Sequence, residues 1–339
     1  MSSITKRMLI EVPTDWPLIG CIAFGLIDRG TNLIQIRPSS SCPLSCIFCS
    51  TDAGPSSRSR QAEYIVDVDH LLRWLKYLLE FKRSKTIEAH IDTVGDPLTY
   101  PRIVDLIHRL SEIPRIKVIS MQTHGFLLSY KLISDMEAAG LSRINLSIDA
   151  LNPKLAKELA GTQHYELNHV LEMAEAIANS KIDLLIAPVW VPGYNDEEIP
   201  KIIEYALKIK AGKQWPPLGI QKYNVHKYGR KPKGVKPMTW FKFYKELRKL
   251  EEKFHVKLIL KPEDFGITKD TRLPLSFKKG EKVRVHVIGY GWLKGEKLAI
   301  PLHGDRIITL INAFDIEIGS KISARILACK DNIYIAEPL

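Results

Sequence analysis

The chain has 339 residues, 45% hydrophobic and 26% charged, with five cysteines and a formal net charge of +11. That length and balance specify a large folded domain with a small companion, and exclude a disordered or disulfide-stapled chain. No apolar run reaches the roughly 18 residues of a membrane span, and no small-residue cleavage site follows a basic start, so a cytoplasmic protein without a membrane is expected. The positive charge favours a polyanionic partner, although heat-adapted chains rich in Lys and Glu share it.

Residues 1–32 read as an N-terminal extension. From 33 to 254 short β-branched runs alternate with amphipathic helices. Strands are predicted at Leu33–Arg37, Thr86–Asp92, Ile116–Gln122, Arg143–Ile148, Asp183–Trp190 and Leu218–Asn224. Helices are predicted near 67–83, 100–112, 129–140, 153–180 in two pieces, 196–210 and 239–254. Val68, Leu71, Leu72, Leu75, Leu78 and Leu79 recur every three or four residues, so the first helix buries one face. Asn195 and Glu198 have capping-box spacing at the start of another. Six βα units in a row imply a parallel sheet with right-handed crossovers, an α/β partial (β/α)6 TIM-like barrel with its chemistry at the C-terminal strand ends.

Residues 255–277, with Pro262, Gly266 and Pro274, read as a connector. Over 278–339 the helices stop. Lys282–Ile288, Lys297–Ile300, Arg306–Ile311, Lys321–Ala328 and Asn332–Ala336 read as a small five-stranded all-β OB-like barrel. Lys282, Arg284, His286, Lys294, Lys297, Arg306, Lys321, Arg325 and Lys330 make it basic. It is similar in pattern to the TRAM-type domains of RNA-modifying enzymes; packing on the larger domain or holding a dimer is the plainer reading.

Cys42, Cys46 and Cys49 follow the first βα strand with the spacing C-x3-C-x2-C. Three thiolates so close in sequence suit three corners of a cubane iron–sulfur cluster, with one iron left open. Structural zinc would call for a fourth ligand, and no second cysteine pair exists. Cys21 and Cys329 stand alone and read as buried, inert thiols.

The cysteine motif, with Phe48 before its last cysteine, resembles that of the radical S-adenosylmethionine (radical SAM) superfamily. Gly95-Asp96-Pro97 stands where that family carries its "GEP" motif, with Asp replacing Glu; 121–129 on strand 3 and 145–150 on strand 4 complete the likeness, which covers roughly 33–254. It implies a [4Fe-4S] cluster on the three cysteines and S-adenosylmethionine on its open iron. Reductive cleavage would then give a 5′-deoxyadenosyl radical, with ferredoxin or flavodoxin as a one-electron donor.

By the same resemblance Gly95, Asp96 and Pro97 face the methionyl amine, and Ser147 and Asp149 the ribose and carboxylate. Phe48 and the backbone after strand 6 line the adenine. Thr123 and His124 point to the same mouth, His124 more as a hydrogen-bonded strand end than as a catalyst. A turn carboxylate, a helix cap and core packing are the plain readings of Asp96, Asp149 and Phe48. Arg58 and Arg60, past the cysteines, read as phosphate contacts or as part of a solvated loop.

Six basic residues and no acid lie between Lys222 and Lys236. Lys222, Tyr223, Lys227, Arg230, Lys231 and Lys233 form a candidate nucleic-acid contact, because basic residues interleaved with aromatics suit a phosphate backbone with stacking bases. The leading expectation is an enzyme modifying tRNA or rRNA, with methylation one outcome left open. The alternatives are radical modification of a protein or peptide side chain, and a non-catalytic iron–sulfur nucleic-acid-binding protein.

Overall fold

A computed structural model describes residues 7–339. Contacts divide the chain into two compact units. The first gathers the chain to Ser41, Arg58–Tyr100 and Lys269–Leu339; the second gathers Cys42–Ser57 and Pro101–Thr268. The architecture is mixed α/β, with a closed five-stranded barrel towards the C-terminus.

In the first unit lie β1 (Met8–Glu11), β2 (Gly25–Asp28), β3 (Leu33–Arg37), β4 (Ala62–Ile65), α1 (Val68–Phe81) and β5 (Ile87–Ile91). β2 runs antiparallel to β3, β3 parallel to β5, and β1 parallel to β4. Residues 7–32, read from sequence as an extension, therefore supply two strands. Asp67 caps α1 by accepting from the backbone N–H groups of Asp69 and His70, and the predicted leucine face is buried.

A buried ion pair fixes the edge of this sheet. Lys82 Nζ donates to Asp28 Oδ1 at 2.5 Å and to the carbonyls of Thr31 and Thr271 at 2.9 and 3.0 Å, and its side chain is fully buried. Asp28 also accepts from the Gly30 and Leu273 backbone N–H groups, tying the returning chain to β2. Lys82→Met leaves Asp28 buried without its counter-charge, so a loss of about 3–5 kcal/mol is expected in urea unfolding. A loss under 1 kcal/mol would mean the pair is dispensable.

The barrel comprises β11 (Lys282–Tyr290), β12 (Lys297–Pro301), β13 (Ile308–Leu310), β14 (Lys321–Ala328) and β15 (Ile335–Pro338). Its closed order is β11-β12-β13-β15-β14, all pairs antiparallel except β13 with β15. Val285, Val287, Ile308, Leu310, Ile326 and Tyr334 fill the interior. Alternate residues along β11 and β14 point inward, which is the period-2 pattern the sequence displays.

The barrel's loops are occupied by its own chain. The loop after β11 receives the Gln61 N–H on the Trp292 carbonyl and donates the Lys294 N–H to Ser59. Tyr64 Oη donates to the Tyr290 carbonyl at 2.8 Å. The turn before β15 pairs Asp331 with Arg29 and Arg272, and Asn332 Nδ2 donates to the Leu273 carbonyl. In OB folds these two loops carry nucleic-acid recognition. Here they dock on neighbouring segments of the first unit.

The second unit holds α2 (Ile103–Ser111), β6 (Ile116–Thr123), α3 (Tyr130–Ala138), β7 (Arg143–Leu146), α4 (Pro153–Ala160), α5 (Leu167–Asn179), β8 (Asp183–Ile186), β9 (Val189–Trp190), α6 (Glu198–Lys208), β10 (Gln221–Lys222) and α7 (Trp240–Phe254). β6, β7 and β8 are parallel neighbours in register. The predicted fifth strand breaks before Pro188, and the sixth shrinks to β10, paired with β9 over two residues. Proline has no N–H for a ladder; Pro188 stands within the fifth run and Pro217 directly before the sixth. α6 begins at Glu198, later than the expected Asn195 cap. The Asn195 carboxamide instead binds the Val191 N–H and the carbonyls of Asp149 and Val189, satisfying backbone at two strand ends.

Candidate functional site

Cys42, Cys46 and Cys49 lie on a loop held from three sides within the second unit. The Ser45 and Ile47 N–H groups donate to the Ala160 and Leu159 carbonyls at the end of α4. Gly161 ends that helix with φ +65°, and a Cβ there would sit 2.0 Å from the Ser45 carbonyl oxygen. A Cβ at Gly54 (φ +89°) would sit 1.5 Å from the Leu44 carbonyl oxygen, so the return of the loop also requires glycine.

The third hold is Arg230. Its Nε pairs with Asp52 Oδ1 at 3.0 Å, Nη1 donates to the Cys46 carbonyl at 2.9 Å, and Nη2 donates to the Ala53 carbonyl. Its backbone N–H donates to the Cys49 carbonyl at 2.8 Å. A guanidinium is the one side chain that can fork across three acceptors in this way. Expected among nucleic-acid contacts, Arg230 spends its charge on the cysteine loop instead. Arg60, considered as a phosphate contact, is likewise buried in the first unit. It donates to Glu63 and to the Ser40 and Val94 carbonyls and stacks 4.7 Å from the Trp292 ring centre. Arg58 is exposed.

None of the three is in a disulfide; Cys46 is buried and the other two are half-buried. Hydrogen-bond donors point at the sulfurs: the Ala53 N–H lies 3.2 Å from Cys49 Sγ, and the Thr51 hydroxyl is 3.4 Å away. His124 Nε2 is 3.8 Å from Cys46 Sγ, and its Nδ1 is 4.0 Å from Asp149 Oδ2. Burial, then the neighbouring charges of Cys42 and Cys49, push the Cys46 thiol well above its ordinary range. A bound metal's own charge removes that penalty on ionisation. Among the described residues no three His, Cys, Asp or Glu side chains converge on a single-ion centre. The donor set and its hydrogen bonds thus fit an iron–sulfur cluster.

Gly95, Asp96 and Pro97 belong to the first unit. The Asp96 N–H donates to the carbonyl of Ser41, the residue before Cys42, at 2.8 Å. A Cβ on Gly95 would sit 2.1 Å from that same oxygen, which is why glycine stands there. Asp96 Oδ1 caps the turn at Pro97–Thr99 by accepting from the Leu98 N–H at 3.0 Å. Asp96 is thus a turn carboxylate, but a buried one rather than the solvated one its plain reading expects.

Thr123, His124, Ser147 and Asp149 lie at neighbouring strand ends of β6 and β7. Thr123 Oγ1 accepts from the Gly125 N–H, and the Ser147 N–H donates to the Thr123 carbonyl at 2.8 Å. Gln122 Nε2 donates to Ser147 Oγ at 2.8 Å, and Asp149 Oδ1 accepts from the Val189 N–H at 2.8 Å. Burial raises the Asp149 carboxyl, and nearby His124 partly offsets this. Phe48 is buried. Gln122 went unsingled by the sequence reading; its alternation with the buried Met121 was the available signal.

Along the basic run Lys227, Lys231 and Lys233 are exposed, whereas Tyr223 is buried. Lys222 is half-buried, its Nζ 4.8 Å from the Trp240 ring centre, and burial lowers its pKa. Gly229 packs on the Cys49 and Ser50 backbone. In the first unit, burial pushes the Cys21 thiol up to about 12, so it stays protonated and inert. Among the described residues no helix is long and apolar enough to cross a membrane.

Residues 36–206 match the profile of the Radical SAM superfamily. An uncharacterised protein of Methanocaldococcus jannaschii is 45% identical over 99% of this chain and 82% of its own length. A GTP 3′,8-cyclase of a Cyanothece species is 30% identical over 52% of the chain and 53% of its own length. The chain thus spans about half of that relative. Among solved structures, Streptococcus suis SuiB bound to the precursor peptide SuiA superposes with a TM-score of 0.53 at 18% identity, covering 68% of this chain and 48% of SuiB. That is a likeness of fold.

Proposed function

The chain belongs to the radical SAM superfamily, whose members bind a [4Fe-4S] cluster and S-adenosylmethionine, and on that premise we propose that it is an RNA-modifying enzyme. When bound, the cluster and S-adenosylmethionine supply a 5′-deoxyadenosyl radical that takes a hydrogen from the substrate. Cys42, Cys46 and Cys49 would hold the cluster. Gly95, Asp96 and Pro97 are assigned the methionyl amine. Ser147 and Asp149 are assigned the ribose and carboxylate, with Thr123 beside them and Phe48 against the adenine. His124 lies between Asp149 and Cys46, one ring nitrogen towards each. Members of the superfamily require an electron donor, for which a ferredoxin or flavodoxin is proposed.

One observation carries the RNA reading. The exposed Lys227, Lys231 and Lys233 lie on the segment that Arg230 and Gly229 fasten to the cysteine loop. Positive charge is thereby held beside the thiols, where a polyanion could be steered to the chemistry. The barrel contributes less than its composition suggested, because its recognition loops are docked on its own chain. A free purine nucleotide is the second reading, favoured by the similarity to GTP 3′,8-cyclases.

Two measurements test the proposal. The anaerobically reconstituted, dithionite-reduced protein should form 5′-deoxyadenosine, and nucleoside mass spectrometry should show a modification lost when the gene is deleted. Changing Lys227, Lys231 and Lys233 together to alanine should reduce the slope of log affinity for single-stranded RNA against log salt by about 2. An unchanged slope would reject the contact, and an unchanged nucleoside profile the substrate.

A further inference from the structure

The second unit contains a cavity of about 450 Å³ to which no ligand is assigned above. Its walls come from the inner face of β6, β7 and β8, from the chain around Lys222, and from α7 with the segment after it. Glu251 Oε1 accepts from the Leu258 and Ile259 N–H groups, holding that segment against α7. The volume falls within the range of small-ligand pockets.

Two kinds of group face this space. Trp240 and Tyr244 stack on each other, ring centres 5.7 Å apart and planes 24° from parallel. Phe243 stands edge-on to both. The second kind is a pair of carboxamides. Gln122 and Asn145 are directly paired residues on adjacent strands, so their side chains lie side by side on one face. Gln122 uses one end of its amide on Ser147, and Asn145 Oδ1 accepts from Arg143 Nε at 3.0 Å. The other ends, Gln122 Oε1 and Asn145 Nδ2, make no hydrogen bond among the described residues. They present an acceptor and a donor at the spacing of neighbouring strands, about 4.8 Å. A flat ring with alternating donors and acceptors on its edge satisfies both features. An aliphatic or purely anionic ligand would leave the amides or the rings unused.

We propose that this cavity is a nucleobase pocket. The amides of Gln122 and Asn145 read the base edge, and the Trp240–Tyr244 stack takes its face. The hydrogen bond from Gln122 to Ser147 places the pocket next to the strand end assigned to S-adenosylmethionine. The inference deepens the RNA reading, and its test does not depend on turnover. A base could come from a free nucleotide or from an unstacked position in single-stranded RNA; the chemistry recognised is the same.

Equilibrium dialysis on the cluster-loaded, unreduced full chain would use GMP, AMP, CMP and UMP, with ribose 5-phosphate as the control and a single-stranded hexaribonucleotide as the polymer arm. At least one monophosphate or the hexamer should bind at one site, tenfold or more tighter than ribose 5-phosphate. Tyr244→Ala, on a partly exposed helix face, should weaken it by roughly tenfold. Asn145→Leu should shift the preference among the four bases. Binding of the monophosphates would assign a free nucleotide, and binding of the hexamer alone would assign RNA. Bases bound no tighter than ribose 5-phosphate would overturn the pocket. So would displacement by S-adenosylmethionine, since the site would then be the cofactor's adenine seat. Salt-dependent RNA binding that persists in either case keeps the RNA reading separate from this failure.

Discussion

Cys46→Ala should give a folded protein that neither retains a [4Fe-4S] cluster after reconstitution nor forms 5′-deoxyadenosine above the protein-free dithionite control. Cys46 is 6% exposed, so removing its sulfur opens only a small void, costing about 1 kcal/mol. The fold therefore survives to be measured, while the cluster loses one of three thiolates. Iron content and visible absorbance report the cluster, and chromatography of the products reports cleavage. Cys21→Ala is the matched control, with its iron content expected unchanged because that buried thiol stays protonated. Cleavage that persists in Cys46→Ala would sink the ligand assignment.

Outside the cysteines themselves, Arg230→Ala should be the change that most damages the cysteine loop. Asp52 and Arg230 are 8% and 17% exposed at the side chain, and the guanidinium also bonds two carbonyls of the loop. Removing it strands a nearly buried carboxylate and two acceptors, a loss of about 3 kcal/mol. Thermal unfolding of the iron-free protein should reveal it, together with weaker iron retention. Arg230→Lys should recover little, because an ammonium cannot reach all three acceptors with a planar fork. If lysine restores both stability and iron content, charge alone is sufficient and the clamp is not geometric.

The sequence made the α/β alternation legible because its helices carry clean apolar faces and its strands are β-branched. The leucine face of α1 and the alternation in β11 and β14 are examples. Spacing also identified the cysteine loop. What escaped was non-local. β2 lies within an apolar stretch from Trp16 to Ile27, whose periodicity does not distinguish strand from loop until β3 is placed beside it. The shortened sixth strand was foreshadowed by Pro216 and Pro217 just before it and by Gly219 within it. The role of Arg230 was hidden by composition. In a run of basic residues nothing local marks the one whose partners lie 177 and 184 positions earlier.

The docking of the barrel loops sets the order in which the first unit can be completed. Gln61 bonds a carbonyl 230 residues downstream, and Arg29 a carboxylate 302 residues downstream. As the chain leaves the ribosome, the Ile19 and Gly20 carbonyls and the Gln61 N–H must wait for Ile307, Tyr334 and Trp292 to emerge before their partners exist. Contacts this distant in sequence make folding slow and leave early segments without cover. The segments around Ile19–Gly20, Arg29 and Ser59–Gln61 are thus made early and secured last, and a chain stopped short of β15 leaves them open to chaperones and proteases.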